Sequence, residues 1–281
     1  MENKIKLICI DMDGTLLNSN HEITEENKLA LQKAFAKGVK IAICTGRIFM
    51  SAKYYSDLIG ITNTPVIASN GAYIKTGYTD EAIYENPMSK DLVLEIYSIL
   101  KKYNLQVNFN SWDTLIRIDA APENHTYSMM NKIVSDDKKI NFLINENLEE
   151  AIRNFDGDIL KGIVIEKENT ELLWKAKDEL KELYGDKLHI VSSGNDNFEI
   201  MLGSSSKGNA VRFLADSYNI KPSEVMCIGD SENDLSMIKY AGIGVAMGNG
   251  LDIVKEAANY ITDTNNNSGV AKAINKFVLD N

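Results

Sequence analysis

Histidine and cysteine are scarce in this chain, three of each in 281 residues, and both shortages exclude chemistry. His21, His125 and His189 are scattered and flank no acidic motif, which argues against a zinc site and against histidine-based catalysis. Cys9, Cys44 and Cys227 form no C-x-x-C pair. Each sits inside a Val/Ile-rich run, so they read as small buried residues in a reducing cytoplasm, not as a disulfide framework. Long apolar runs are missing too: none approaches the roughly 20 residues that a bilayer crossing needs. Strand-like residues begin almost at once, so no leader pattern is expected and the expected location is cytoplasmic. Positive charge is in deficit, 30 Lys and Arg against 40 Asp and Glu, a net charge of -10. That balance argues against nucleic-acid and membrane partners. It leaves an anionic small molecule open, because one lysine, a helix N-terminus or a metal can supply the local field.

What is present begins at the first strand. Lys4 to Ile10 is a short apolar-rich run, and Asp11-Met12-Asp13-Gly14-Thr15-Leu16 follows it directly. The run is too short for a helix and reads as a strand buried on both faces. Ligands of open α/β sheets sit just beyond the carboxyl ends of the strands, where Asp11 and Asp13 fall. Two acids there would repel each other and lose hydration unless a cation or shared proton offsets it. An Asx-type turn, with one Asp capping the loop, is the alternative that these residues leave open when taken alone.

The rest of the chain has a rhythm that changes twice. Thr24 caps a helix with Glu25 and Glu26 in its first turn, and Leu29, Leu31, Ala34 and Phe35 suggest its inner face. Val39 to Cys44 and Pro65 to Ala68 are further strands, with a helix between them closed by Gly60. This β-α-β-α-β alternation predicts a Rossmann-like parallel sheet with right-handed crossovers. From Ala72 the pattern becomes a hairpin, then strand pairs and helices in runs, which suggests a separate α+β unit. Near Ser192 the first rhythm returns, with Phe198 to Met201, Val225 to Ile228 and Gly244 to Met247 as strands. The expected fold is therefore an α/β core of residues 1–82 and 191–281 with an inserted α+β cap of residues 83–190.

The polar residues at the strand ends are Asp11 and Asp13, Thr45, Lys207 at a helix start, and Asp230 with Asn233 and Asp234. Carboxylates, water and substrate oxygens are what Mg²⁺ prefers. A hydroxyl, a lysine and helix-start N–H groups are what a phosphate prefers. Asp11-Met12-Asp13-Gly14-Thr15-Leu16, Thr45-Gly46-Arg47, Lys207-Gly208 and Gly229-Asp230-Ser231-Glu232-Asn233-Asp234 resemble, in order, the four motifs of the haloacid-dehalogenase-like hydrolase superfamily. The cap-sized insert between the second and third motifs is similar to the Cof-type sugar-phosphatase branch. One departure is Gly203-Ser204-Ser205-Ser206, where the family usually carries a proline and an apolar residue before the lysine.

The resemblance implies a Mg²⁺-dependent phosphatase of small phosphorylated metabolites, sugar phosphates foremost. Asp11 would be the nucleophile that forms an aspartyl-phosphate, and Asp13 the acid and base. Mg²⁺ would be held by Asp11, the Asp13 backbone carbonyl and Asp230, with Asp234 bracing that loop from behind. Met12 through its N–H, Thr45, Gly46, Lys207 and Asn233 would bind the phosphate. Arg47 is expected to be structural or cap-facing. Two rivals share the machinery: a phosphosugar mutase, and a phospho-accepting signalling switch, which needs neither Asp13 nor a hundred-residue lid. Neither the ester nor the oligomeric state has a signature among these residues.

Overall fold

The computed structural model describes residues 5–280. Lys4, counted in the opening run, and the outermost residues of the two core segments lie outside the described residues.

The chain alternates strand and helix from its start: β1 (Leu7–Asp11), α1 (Glu25–Ala36), β2 (Lys40–Cys44), α2 (Phe49–Leu58) and β3 (Val66–Ala68). A short hairpin, β4 (Tyr73–Lys75) and β5 (Tyr84–Glu85), follows. The middle of the chain holds α3 (Lys90–Lys102), β6 (Val107–Asn110), β7 (Thr114–Arg117), α4 (Thr126–Asn131), β8 (Asn141–Ile144) and α5 (Leu148–Asn154). It continues with β9 (Lys161–Ile165), α6 (Thr170–Tyr184), β10 (Leu188–Val191) and β11 (Asn197–Leu202). Alternation then resumes with α7 (Lys207–Ser217), β12 (Val225–Gly229), α8 (Leu235–Tyr240), β13 (Ile243–Ala246), α9 (Asp252–Ala257), β14 (Tyr260–Ile261) and α10 (Gly269–Ile274).

Two sheets result. The first has the order β14-β13-β12-β1-β2-β3-β4-β5, parallel from β14 to β3 and antiparallel through the hairpin. Its central strand, β1, is buried along its whole length, and alternate residues feed two cores. Ile8 and Ile10 pack with Ile41, Ile43 and Ile228 toward α1, α2 and α10. Leu7 and Cys9 pack with Cys44 and Cys227 toward α7 and α8. Each fully buried Leu or Ile here contributes about 1.5–3 kcal/mol, which is why a strand this apolar takes the centre. All three cysteines are buried and free.

The second sheet has the order β10-β11-β9-β6-β7-β8, antiparallel except for the β7–β8 pair. Its core lies under α3, α5 and α6. Here one expectation is corrected. The strand at 198–201 does not rejoin the first sheet; it pairs antiparallel with β10 and β9. Its side chains alternate: Phe198 and Ile200 enter the second core, while Glu199 lies on the cleft. A five-residue link from β10 makes the local hairpin cheaper to close than a return to the first sheet. The chain therefore leaves the first sheet after Glu85 and returns after Leu202, later than residues 83 and 191. The two crossings are tied together, since Asn86 Nδ2 donates to Ser204 Oγ at 2.8 Å and to Ser205 Oγ at 2.7 Å. That is the work of the serine run.

In α1, Thr24 caps as expected, its side chain accepting from the Asn27 N–H. The buried stripe is Asn27, Ala30, Leu31 and Ala34, so Leu29 and Phe35 stay exposed. Asn27 is admitted to the core because its amide bonds Leu16 O at 3.4 Å and Ala271 N at 2.9 Å. No helix among the described residues is long and apolar enough to cross a membrane.

Candidate active site

The carboxyl ends of β1, β2, β3 and β12 open on one side of the first sheet, and the start of α7 faces them. The first-sheet side forms the floor of a cleft of about 270 Å³, and the second sheet forms its roof. Asp11, Asp13, Thr45, Gly46, Arg47 and Asn233 line it from below, with Lys161 and Glu199 above.

Lys207 is the centre of the floor. It is fully buried, and its Nζ donates to Asp11 Oδ1 and to Asp234 Oδ1, each at 2.6 Å. The other oxygen of Asp234 accepts from the backbone N–H groups of Asp230 and Ser231 at 2.9 and 3.0 Å. Asp234 thus braces both the lysine and the loop that carries Asp230. Asp230 in turn accepts from Thr15 Oγ1 at 2.8 Å and from Ser231 Oγ at 3.0 Å. Gly14 must be glycine: its φ is +79°, and a Cβ there would stand 2.6 Å from Asp230 Oδ2.

Charge in this cluster does not balance. Asp11, Asp230 and Asp234 each place an oxygen within 4.8 Å of the others, against the one ammonium of Lys207. Burial, then the charge of Asp234, raises the proton affinity of Asp11 well above the usual carboxylate range, although Lys207 pulls the other way. The same two causes push Asp230 up to about 6. Burial works against the charge on Lys207, but Asp11 and Asp234 outweigh it and hold the ammonium charged. Hard oxygen donors with surplus negative charge are the donor set that fits Mg²⁺. The residues present fit the ion that the sequence implies.

Asp13 points elsewhere. Its two oxygens accept from Arg47 Nε at 2.8 Å and Nη2 at 2.5 Å, so its side chain is outside the acidic cluster. Against a partial loss of hydration, that guanidinium holds the half-exposed Asp13 carboxyl below its ordinary range. Thr45 Oγ1 accepts from the Arg47 N–H at 3.1 Å, which leaves its own hydroxyl proton to donate. Met12 buries its side chain, so only its backbone is left for a ligand. Asn233 donates from Nδ2 to Asn70 Oδ1 at 3.1 Å and has a second amide hydrogen to offer.

Sequence reasoning missed the roof and one turn of the floor. Lys161 Nζ donates to the Gly46 carbonyl and to Glu199 Oε1. Asn70, beyond β3, donates to Glu199 Oε2 at 2.7 Å. Tyr127 accepts from the Ile48 N–H at 3.2 Å. The legible signal was Glu199, an acid inside the apolar run Phe198 to Met201 and therefore in need of a partner. Elsewhere in the cap, Trp112 stacks on Tyr73, Arg117 pairs with Asp119, and His125 borders the outer part of the cleft.

Comparison with known proteins follows the same lines. A family model described as haloacid dehalogenase-like hydrolase matches residues 8–274. The chain is 37% identical over 284 residues to YxeH of Bacillus subtilis (strain 168), covering 98% of each. It is 32% identical over 290 residues to the 5-amino-6-(5-phospho-D-ribitylamino)uracil phosphatase YwtE of the same organism, again covering 98% of each. Among solved structures, that of the HAD subclass IIB sugar phosphatase BT4131 is similar with a TM-score of 0.78 and 26% identity, covering 97% of this chain and 98% of that one.

Proposed function

The chain belongs to the haloacid dehalogenase-like hydrolases, in their Cof-type branch, and is a phosphatase; from that premise we propose that it hydrolyses small phosphorylated metabolites, sugar phosphates foremost, through an aspartyl-phosphate on Asp11. Asp11 supports the reading best. Its carboxylate lines the cleft 2.6 Å from a fully buried lysine, and Asp13 lines the same cleft.

In this reading an Asp11 oxygen attacks phosphorus while the ester P–O bond breaks. Asp13, in its protonated form, gives that proton to the departing alkoxide and becomes the carboxylate. It then takes one from the water that attacks the phosphoenzyme, and inorganic phosphate leaves as the Asp11–phosphorus bond breaks. Lys207 offsets charge on the transferring group and favours the ionised form of Asp11. Thr45 Oγ1, Gly46 N–H, Met12 N–H and the free hydrogen of the Asn233 amide are the donors for the remaining phosphate oxygens. Asp11, Asp230 and the Asp13 backbone carbonyl are the residues we assign to Mg²⁺, with Asp234 behind them. Bound there, the ion supplies Lewis-acid stabilisation of the phosphoryl oxygens. We take residues 5–85 and 203–280 as the hydrolase core and 86–202 as the cap that admits the leaving group and excludes water.

The test is phosphate release, with Mg²⁺, over a panel of hexose phosphates, pentose phosphates, nucleotides and the phosphoribitylamino-uracil named for YwtE. Catalytic release of inorganic phosphate from at least one ester is expected. An isomeric sugar phosphate with no free phosphate would make the chain a mutase, and a single stoichiometric phosphorylation would make it a switch.

A further inference from the structure

Four polar side chains run from the roof into three separate turns of the floor. Lys161 and Glu199 are 3% exposed each, a buried ion pair on neighbouring strands of the second sheet. Neither stops at its partner. Lys161 Nζ also donates to the Gly46 carbonyl in the turn after β2. Glu199 Oε2 accepts from Asn70 in the turn after β3, and Asn70 Oδ1 accepts from Asn233 in the loop after β12.

The backbone at these contacts is held in particular states. Ser69 and Asn70 both lie at positive φ, 47° and 53°, and Gly71 follows at 97°. Left-handed backbone at a non-glycine residue is strained and persists where surrounding bonds over-determine it. Here both ends of the Asn70 amide do so. The peptide between Gly46 and Arg47 is likewise fixed at each side, its carbonyl by Lys161 and its N–H by Thr45 Oγ1. The neighbouring Gly46 N–H finds no acceptor among the described residues, and it borders the cleft.

Adhesion between the sheets does not explain this arrangement. A buried ion pair is weak evidence for stability, and an apolar pair of similar volume would hold the sheets as well. It would not orient a carbonyl and an amide on the far side of the cleft.

We propose that Lys161 is a positioning residue: acting with Glu199 and Asn70, it sets the direction of the Gly46 peptide and of the Asn233 amide. The cap thereby shapes the phosphate-binding half of the cleft in addition to covering it. The inference rests on the phosphatase reading and deepens it. Its consequence is specific. Loss of the relay misplaces the phosphate, so it slows every ester by the same factor, whatever the leaving group.

The test compares wild type with Lys161→Met and with the double variant Lys161→Met/Glu199→Gln. The single variant strands the Glu199 charge in the cleft; the double one removes it and keeps the fold within reach. Two readouts are taken, amide hydrogen exchange and kcat/KM on two esters with unlike leaving groups, p-nitrophenyl phosphate and a hexose phosphate. In the double variant kcat/KM is expected to fall roughly ten- to a hundredfold, mainly in kcat and by the same factor for both esters. Exchange is expected to quicken at residues 45–47 and 69–71, with the rest of the chain and the melting temperature unchanged. A loss confined to the hexose phosphate would make Lys161 a leaving-group contact and overturn the proposal. Native kinetics with native exchange, or loosened exchange across both sheets, would overturn it as well. A wild type that releases no phosphate would sink the phosphatase reading alone, and the exchange pattern would still decide this inference.

Discussion

The floor and the roof of the cleft each bury a lysine among carboxylates, but with opposite balance. On the floor Lys207 pairs with Asp11 and Asp234, Asp230 completes the acidic cluster, and the local sum is negative. On the roof Lys161 pairs with one acid among the described residues, Glu199, and the pair is neutral. Burial amplifies both situations, because a low dielectric penalises any unmatched charge. The floor is therefore unfinished without a cation, whereas the roof is complete as it stands. Surplus charge marks where something must bind, and matched charge marks where geometry is being held.

The largest effect that tests this contrast is Asp11→Asn. It removes the proposed nucleophile at constant volume, so turnover should fall by roughly 10⁴-fold or more. It also relieves the surplus, so the metal-free variant should melt at the same temperature as wild type or above it. Phosphate release and a thermal melt in chelator check the two halves. Near-normal activity would remove Asp11 from the mechanism.

Next is the ion itself. Chelation should abolish phosphate release, and Mg²⁺ should restore it. Asp11 and Asp230 bind protons more tightly in the folded chain than unfolded carboxylates do. Their contribution to metal-free stability is thus present at acid pH and lost as pH rises, for Asp230 through about 6. Mg²⁺ competes with those protons. It should raise the melting temperature more at pH 7.5 than at pH 5. An equal rise at both would mean that the ion sits elsewhere.

The roof should respond with the other sign. Glu199→Gln leaves the Lys161 ammonium buried beside a neutral amide, and breaking such a pair costs about 3–5 kcal/mol. Denaturant unfolding should show a loss of that size, in contrast to the neutral or stabilising effect of Asp11→Asn. Equal responses would erase the distinction between an unfinished cluster and a finished one.

This contrast also explains what could be read in advance. Asp11, Thr45, Lys207 and Asp230 stand at the ends of strands or the start of a helix, with glycine or a hydroxyl beside them. Local pattern alone brings them to one edge. Lys161 opens β9 and Glu199 lies inside β11, away from the strand ends that face the site, and a charged residue there reads as an interruption until its partner, 38 positions away, is known. The strand 197–202 was misplaced for a related reason. Its apolar residues suit either sheet, and only pairing with β9 and β10 decides between them. Asn27 in α1 shows the same limit, since a buried amide is intelligible only once Ala271 is beside it.

Arg47, on the floor beside Asp13, carries the smallest prediction. Its guanidinium lies against the Tyr55 ring, 4.9 Å from the centroid, and Nη1 reaches Ser51 Oγ at 3.3 Å. Those contacts fix the fork that grips both oxygens of Asp13. Partial loss of hydration would raise the proton affinity of Asp13, whose side chain is about half exposed; Arg47 reverses that and keeps the carboxyl ionised to lower pH. Ionised Asp13 is the form that can take a proton from the attacking water. Arg47→Gln should therefore move the acidic limb of the kcat profile to higher pH. The same change should make Asp13 easier to protonate for the leaving-group step, so the variant should lose less activity under acid conditions than the limb alone suggests. Pre-steady-state measurement of phosphoenzyme formation and breakdown across pH separates the two steps. A limb that stays in place would assign the base to another group and leave Arg47 as a packing residue of α2.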